Sequence, residues 1–408
     1  MIQRLAWVFL HQVAGRGAVF AFFALLPLWL SLEAAGAFIL AYSTLQMVLQ
    51  PAFDTAVNTL LVRAAASGDR ATVRHIVRWA LALLGVLVIA GLAAVVIGGF
   101  APLWGWLAAY FALSLPLNMA FAICRGRGRF DVEGVVGSLQ KISLLPLLWA
   151  MTGHASAPAL ALLCSAVIGW TLLAAGFGRT WRGERAAWRV SSVPSVGTAA
   201  FRETLCLTAL AAVALLYLRI DLVLLGAFSG LRDVGIYATA SRWMEAAFVL
   251  PFGVMLVLFP RLSSRPLQGG ELGSAFRVFA IVGVVTFVAS VAAAWLIVPL
   301  VYHGAVGQQV ARLVVQLSPS ALAVCIGMLS SQTLVAWGRT PMALVAALVG
   351  LGTKLAIAIV AIPQMGTAGA ALAAVGTEVA VAIASSVQLR RVLREQSRLA
   401  AEASPVLS

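Results

Sequence analysis

Charged residues are scarce in this sequence, and their scarcity excludes a soluble fold. Of its 408 residues only 10% are charged, while 62% are hydrophobic; soluble domains are about 25% charged. Apolar runs of roughly 20 residues, the length at which a helix crosses a bilayer, recur along the whole chain. A transmembrane β-barrel would need alternating segments of about ten residues. The composition therefore predicts an all-α polytopic membrane protein.

The motifs of soluble catalytic modules are also missing. No G-x-x-x-x-G-K-[ST] occurs, and no loop is long enough for a nucleotide-binding domain. The four cysteines lie in or beside apolar runs, and the four histidines show no metal-ligand spacing. The function of the protein must then be carried out by its membrane-spanning segments. We expect a transporter, not an enzyme, and no cofactor.

The net charge of +14 does not indicate a nucleic-acid partner, because of where the arginines lie. They concentrate in alternate connections between apolar runs, as the positive-inside rule requires, and only Arg232 and Arg312 depart from this bias. The pattern predicts two cytoplasmic termini and twelve spans. The predicted spans are 13–32, 36–61, 79–100, 102–123, 134–152, 157–177, 204–228, 234–259, 278–301, 313–336, 341–362 and 366–388.

The longest polar connection divides the spans into six and six. Both halves then begin on the cytoplasmic side, which predicts two six-helix lobes related by a pseudo-twofold axis along the membrane normal. "EAAGAF…QPAF…LLVR" in the first half is matched loosely by "RDVGIY…LPFG…LFPR" in the second. The predicted parts are an N-terminal lobe, a basic cytoplasmic linker, a C-terminal lobe and a cytoplasmic tail, over residues 1–178, 179–202, 203–390 and 391–408.

Arg219 and Asp221 raise the main question of the sequence, because both lie inside the apolar run "LLYLRIDLVLLG". A charge at the bilayer centre costs at least about 2.5–3.5 kcal/mol on insertion scales. Two residues along a helix is a rotation of about 200°, so the two side chains point to opposite sides. At least one of them needs a partner from another helix, from water or from a ligand. An interhelical bridge and a ligand contact both remain open.

Other charged residues within spans allow both structural and functional interpretations. Arg242 and Glu245 are three residues apart and share a helix face, so they form either an intrahelical pair or a substrate contact. Lys354 lies about three turns from the cytoplasmic end of its span. It can pair with Glu378 across the last two helices. Arg16 lies just within the first span, from which it can reach the inner headgroups.

The second span carries a polar stripe: Tyr42, Gln46, Gln50, Asp54 and Asn58 recur every four residues. Each step drifts by about 40°, so the stripe winds slowly around one side of the helix. A proline within the stripe interrupts the hydrogen-bond ladder and permits a kink. Lipid would not tolerate this stripe, so we expect it to line a cavity or to bond to neighbouring helices.

The second half resembles the polysaccharide flippases of the multidrug/oligosaccharidyl-lipid/polysaccharide exporter (MOP) superfamily. "YLRIDLVLLGAFSGLRDVGIYATASRWMEAAFVLPFGVMLVLFPRLSS" is similar to their R-[IV]-D, V-G-x-Y and L-F-P-R series. "IPQMGTAGAALA" resembles their I-P-x-x-G-x-x-G-A-A-x-A segment. The hairpin around "LEAAGAF" is similar more loosely, since it lacks the acidic, aromatic lead-in common in that family.

The resemblance implies two lobes around a V-shaped central cavity and transport by alternating access. The implied cargo is an oligosaccharide on a polyprenyl pyrophosphate, moved across the bacterial cytoplasmic (inner) membrane for surface or exported polysaccharide biosynthesis. Membrane lipids surround such a protein, and a polysaccharide polymerase and glycosyltransferases are its expected protein partners. We expect a monomer, because two lobes already make a complete pathway.

The resemblance also suggests roles for the polar residues of the spans. Cations would receive the pyrophosphate, and polar amides would line the sugar path. The candidate substrate-binding residues are Arg16, Arg219, Arg242, Lys354, Gln46 and Gln50. Acids would hold those cations apart or bind a coupling ion. The candidate charge-balancing or ion-coupling residues are Asp54, Asp221, Glu245 and Glu378.

A second interpretation follows from the balance of four cations and four acids. If the carboxylates are available, the chain would extrude lipophilic cations in exchange for Na⁺ or H⁺, as the multidrug branch of the same superfamily does. The flippases of lipid-linked peptidoglycan precursors resemble the chain too, but they typically carry extra spans. A third interpretation is a scaffold for glycosyltransferases that transports nothing. It predicts that substitutions of the charged residues in the spans do not affect function.

Overall fold

The computed structural model describes residues 2–66, 70–98, 102–151, 154, 156–184, 198–264 and 269–403. These residues contain helices and turns and no strand. Some predictions fall outside the described residues: the Asp54 side chain, residues 185–197 of the predicted linker and residues 404–408 of the predicted tail. The predicted all-α membrane fold is confirmed.

Each predicted span coincides with one helix or with a run of consecutive helices. In the first half these are α1 Ile2–Trp29, α2 Leu32–Gln50, a π-helical segment Pro51–Val57, α3 Asn58–Ala66, α4 Arg70–Gly98, α5 Pro102–Gly126, α6 Phe130–Ile142, α7 Leu144–Ala150 and α8 Ala157–Glu184. In the second half they are α9 Thr198–Phe228, α10 Leu231–Ala247, α11 Val249–Ser264, α12 Gly269–Leu296, α13 Val298–Val301, α14 Gly304–Leu317, α15 Ser320–Ala336, α16 Thr340–Met365 and α17 Thr367–Ala403.

Breaks divide some of the predicted spans. Among the described residues, 8 helices are long and apolar enough to cross a membrane, and a ninth results if α14 and α15, bent by 43°, form one span. The predicted span 134–152 is divided at Ser143 into α6 and α7. Neither piece alone has the roughly 20 residues that a crossing needs.

The chain forms two compact units, Met1–Ala212 and Val213–Ser408. The division falls inside α9, whose first residue, Thr198, lies in the predicted linker. At the other end of that linker, α8 continues to Glu184. Every candidate charged residue of the second half therefore belongs to the second unit, and Arg16, Gln46 and Gln50 belong to the first.

The core of the first unit forms where α1, α2 and α5 bring aromatic rings together. Phe22, Phe23 and Phe38 are almost fully buried. The ring of Tyr42 lies 5.1 Å from that of Phe23 and 5.5 Å from that of Phe111, centroid to centroid. Tyr42 thus begins the polar stripe of the second span with its ring packed among aromatic side chains.

The second span of each half is interrupted near a proline. In the first half α2 gives way to the π-helical segment at Pro51, whose missing N–H breaks the hydrogen-bond ladder. In the second half the interruption comes at Phe248, three residues before Pro251. These are the two segments whose motifs resemble each other, so the likeness extends from sequence to local structure.

The last two helices of the second unit form a tight antiparallel hairpin. Gly366 alone separates α16 from α17, and its φ of +57° lies in the region that favours glycine. Three residues later, Gly369 lies against the backbone of Ala361. Further along, Gly350 of α16 faces Val381 of α17. The two glycines of "IPQMGTAGAA" therefore allow the close packing that sets the register of the hairpin.

Candidate functional site

The charged residues of α9 have separate partners on opposite sides of the helix. The guanidinium of Arg219 pairs with Glu245 of α10, and the carboxylate of Asp221 pairs with Lys354 of α16. The rotation of about 200° between the two positions had predicted partners from elsewhere. That prediction is confirmed, and interhelical bridges supply the partners.

Two arginines converge on one carboxylate in what we call the arginine cluster: Arg219, Arg242 and Glu245. Arg219 Nη1 donates to Glu245 Oε1 at 2.7 Å, and Arg242 Nη1 donates to Oε2 at 2.6 Å. Of the two alternatives, the intrahelical pair on α10 is formed, and it is joined by a second arginine from α9. Two guanidinium groups from two helices thus share one carboxylate.

Exposure is unequal within the arginine cluster. The side chain of Glu245 is 41% exposed, whereas those of Arg219 and Arg242 are 12% and 8% exposed. Glu245 is thus the most exposed member, and the two arginines paired with it are largely buried. An anion that approaches the two arginines would encounter Glu245, which is already bound to them.

A second group, which we call the lysine cluster, consists of Asp221, Lys354 and Tyr237. Lys354 Nζ donates to Asp221 Oδ2 at 2.7 Å, the Tyr237 hydroxyl donates to the same oxygen, and the Leu222 N–H donates to Oδ1 at 3.0 Å. The Lys354 and Asp221 side chains are only 4% and 3% exposed. Three helices are therefore joined around one carboxylate that is closed to solvent.

Tyr237 was not among the residues predicted for the site. It is 2% exposed and lies on α10, where it is the tyrosine of the V-G-x-Y motif "VGIY". The motif could have marked Tyr237 as a candidate site residue from the sequence alone. Its hydroxyl could not be assigned to Asp221 because the two residues are 16 positions apart on different helices.

Lys354 forms its ion pair with Asp221 and not with Glu378, the partner that the sequence had suggested. Glu378 of α17 still lies near Lys354 and Tyr217. The hairpin brings Glu378 near Lys354, while the ammonium turns towards α9. The correction has a physical reason: Asp221 is almost fully buried, so its carboxylate has the greater need of a counter-charge.

The candidate residues of the first unit lie on α1, on α2 and in the π-helical segment. Arg16 lies on α1 with an exposed side chain. Gln46 and Gln50 lie on α2, and the Oε1 atom of each is buried without a hydrogen-bond partner among the described residues. Asp54, in the π-helical segment, has a side chain that lies outside the described residues.

The two clusters differ in what they can do chemically. The lysine cluster is neutral and sealed, which suits the joining of helices. The arginine cluster has an exposed acid and two planar guanidinium groups, which match the oxygen geometry of phosphates and carboxylates. It can therefore hold an anionic group.

Comparison with known proteins identifies the fold. No protein-family model matches this chain, and no curated protein sequence matches it. An inward-facing multidrug resistance MATE family transporter of the MOP superfamily superposes with a TM-score of 0.67 at 14% identity, with 96% of each chain covered. VcmN, a MATE transporter of Vibrio cholerae, superposes in its bent form with a TM-score of 0.64 at 17% identity, with 96% of this chain and 97% of VcmN covered.

An outward-facing multidrug resistance MATE family transporter gives a TM-score of 0.65 at 13% identity, with 96% of each chain covered. This chain therefore has the multi-pass, all-α fold of the MATE transporters of the MOP superfamily over nearly its whole length. At these identities the likeness concerns the fold.

Proposed function

We propose that this chain is a transporter of the MOP superfamily that works by alternating access. Its cargo is an oligosaccharide linked to a polyprenyl pyrophosphate, and the product serves surface or exported polysaccharide synthesis. The fold supports the superfamily, and the motifs of α9 to α11 and of the last hairpin resemble the polysaccharide branch. The chain acts in the bacterial cytoplasmic membrane, with both termini in the cytoplasm.

The arginine cluster is the observation that carries this proposal. A pyrophosphate that leaves water for a membrane protein must exchange its hydration for cations and hydrogen-bond donors. Arg219 and Arg242 offer guanidinium groups from two helices, both already oriented towards carboxylate oxygens. Arginine binds such oxygens in bidentate fashion and remains charged under all physiological conditions. Pyrophosphate would bind at the accessible edge of this cluster.

The second candidate is a cation-coupled antiporter of lipophilic cations, and the pairing of the acids bears on it. Such a substrate needs an available carboxylate. Asp221 is held by Lys354 and Tyr237 and is almost fully buried. Glu245 is accessible, but it is paired with two arginines. These two acids therefore offer a lipophilic cation no uncompensated negative charge. Glu378, from which Lys354 turns away to pair with Asp221, stays a candidate for this function, as does Asp54, whose side chain lies outside the described residues.

Ligand-dependent thermal stability tests the proposal. A ligand that binds only the folded state, at about 100 times its dissociation constant, adds roughly 2.7 kcal/mol to stability. We expect a polyprenyl pyrophosphate to raise the Tm of the wild-type protein in detergent and to leave that of Arg219→Ala almost unchanged. Arg232→Ala, which removes an exposed arginine outside the cluster, should respond like the wild type.

The same measurement distinguishes the two candidates. A panel of lipophilic cations is tested beside the pyrophosphate carrier on all three proteins. Stabilisation by the cations alone would overturn the proposal and favour the multidrug antiporter. A pyrophosphate response that survives Arg219→Ala would remove Arg219 from the binding site.

A further inference from the structure

The last helix carries four arginines that belong to neither cluster. We call them the arginine face: Arg390, Arg391, Arg394 and Arg398, all on α17 and all exposed. At 100° per residue they fall within an arc of about 100° on one side of the helix. Like charges four residues apart repel each other. A counter-charge from outside the helix would therefore stabilise this face.

The described part of the protein supplies no such counter-charge. None of the four arginines has an ion pair or a hydrogen bond with a described residue. The acid within this stretch, Glu395, instead accepts a hydrogen bond from Arg339 at the start of α16, at 3.2 Å. The positive charge of the arginine face is therefore available to a partner.

The other side of the same stretch is packed into the protein. Leu389 and Val392 are almost fully buried, and the helical rotation places them away from the arginine face. α17 runs as one helix from Thr367 to Ala403. The arginines are therefore held in a fixed row on one side of a packed helix.

The arginine face continues a face of α17 that is apolar and exposed. Val379, Ile383 and Val387 are exposed, and the rotation places them on the same side as the arginines. α17 is long and apolar enough to cross a membrane. The hydrocarbon core, about 30 Å thick, takes roughly 20 helical residues, so a crossing that begins at Thr367 reaches about residue 387. Acyl chains would contact the three apolar side chains, and the arginines follow where the headgroups begin.

The heights of the arginines match the headgroup layer. At 1.5 Å per residue, Arg390 lies about 5 Å beyond Val387 along the helix and Arg394 about 10 Å beyond it. The headgroup layer is about 5–7 Å thick on each side of the core. Because arginine is long, a guanidinium beyond this layer can turn back towards the phosphates. At least three of the four arginines can thus reach lipid phosphates.

We propose that the arginine face binds anionic phospholipids, with the acyl chains along Val379, Ile383 and Val387 and the phosphates at the arginines. Guanidinium groups bind phosphate oxygens in bidentate fashion. Each basic residue near an anionic membrane surface contributes about fivefold to association. A zwitterionic lipid offers no net negative charge and is bound less well.

This arrangement is more specific than orientation in the membrane requires. Basic residues anywhere in a connection would satisfy the positive-inside rule. Here they lie on one side of a helix, without partners among the described residues, and in line with the apolar face. The inference goes beyond the proposed function, because it concerns the surrounding lipid and does not depend on the cargo.

Photo-crosslinking in proteoliposomes tests the inference. Full-length protein is reconstituted in phosphatidylcholine vesicles that contain the same small amount of photoactivatable phosphatidylglycerol or photoactivatable phosphatidylcholine. Mass spectrometry then gives the enrichment, which is the ratio of the two cross-link yields on α17. We expect the wild type to prefer phosphatidylglycerol. The double variant Arg390→Gln/Arg394→Gln should lower the enrichment at least about fivefold, because the amides carry no charge.

Two further double variants are the controls. Arg390→Lys/Arg394→Lys keeps both charges and should keep most of the enrichment. Arg232→Gln/Arg312→Gln removes two charges from exposed positions on α10 and α14, and it should leave the enrichment on α17 unchanged. An equal fall in both glutamine variants would overturn the inference, since a general change of charge would then explain the effect.

Salt provides a second test that needs no variant. At about 1 M ionic strength the Debye length falls to about 3 Å, so the enrichment of the wild type should fall towards unity. An enrichment that resists both salt and the loss of the two arginines would contradict recognition by charge. A wild type that cross-links equally to both lipids would also refute the inference, and the proposed transport function would be unaffected.

Discussion

Lys354→Met should destabilise the protein by about 3–5 kcal/mol, the usual cost of removing one partner from a buried ion pair. Methionine has an unbranched side chain of similar length to that of lysine. The substitution therefore leaves the Asp221 carboxylate with Tyr237 and a backbone N–H as its described partners. Because Asp221 is almost fully buried, water cannot replace the ammonium. The measurement is the change in Tm of the purified protein in detergent.

Two further variants make the Lys354 result interpretable. Lys141→Met removes the only other lysine, which is exposed, and should cost no more than about 1 kcal/mol, as for surface pairs. Asp221→Asn combined with Lys354→Met should recover most of the loss, because no buried charge remains unpaired. A loss below about 1 kcal/mol for Lys354→Met alone would be incompatible with the ion pair.

Gly369→Ala should destabilise the last hairpin by about 3 kcal/mol, the upper part of the range for overpacking. A Cβ at this position would overlap the backbone carbonyl of Ala361 and would lie 2.8 Å from the backbone nitrogen of Ile362. Backbone atoms cannot turn aside as a flexible side chain can. The two helices would have to move apart, and the approach of Lys354 to Asp221 would be disturbed with them.

Gly352→Ala is the control for the hairpin. It makes the same change in α16 at a position where a Cβ meets nothing within 4 Å. Since alanine favours a helix over glycine by up to about 1 kcal/mol, this variant should be neutral or slightly more stable. The Tm of each variant, compared with the wild type in the same detergent, checks both. Equal effects at the two positions would contradict the close approach at Gly369.

The sequence was a good guide wherever the physics is local. Each predicted span coincides with a helix or a run of helices, because the length of apolar runs reflects the thickness of the bilayer. The spacing of Arg242 and Glu245 allowed their pair, and the rotation between Arg219 and Asp221 predicted that at least one of them has a partner from elsewhere. All these relations lie within one helix, where residue spacing determines direction.

The sequence could not predict which residues on other helices would be the partners of these charges. Lys354 and Asp221 are 133 positions apart, and the charge pattern equally allowed Lys354 to pair with Glu378. Tyr237 was recognised only as part of the V-G-x-Y motif, and its hydrogen bond to Asp221 was not predicted. The choice among these partners depends on how closely α9, α10 and α16 pack, which no pattern within a single helix contains.

The sequence alone thus determined the membrane class, the positions of the spans and the presence of charges that could not remain alone in an apolar run. Hydrophobicity and helical periodicity are properties of a segment, so a segment suffices to predict them. Only the tertiary structure decided that the charges separate into a sealed lysine cluster and an accessible arginine cluster. Burial and pairing are properties of helices in contact, and they decide which ions are closed to solvent and which remain accessible.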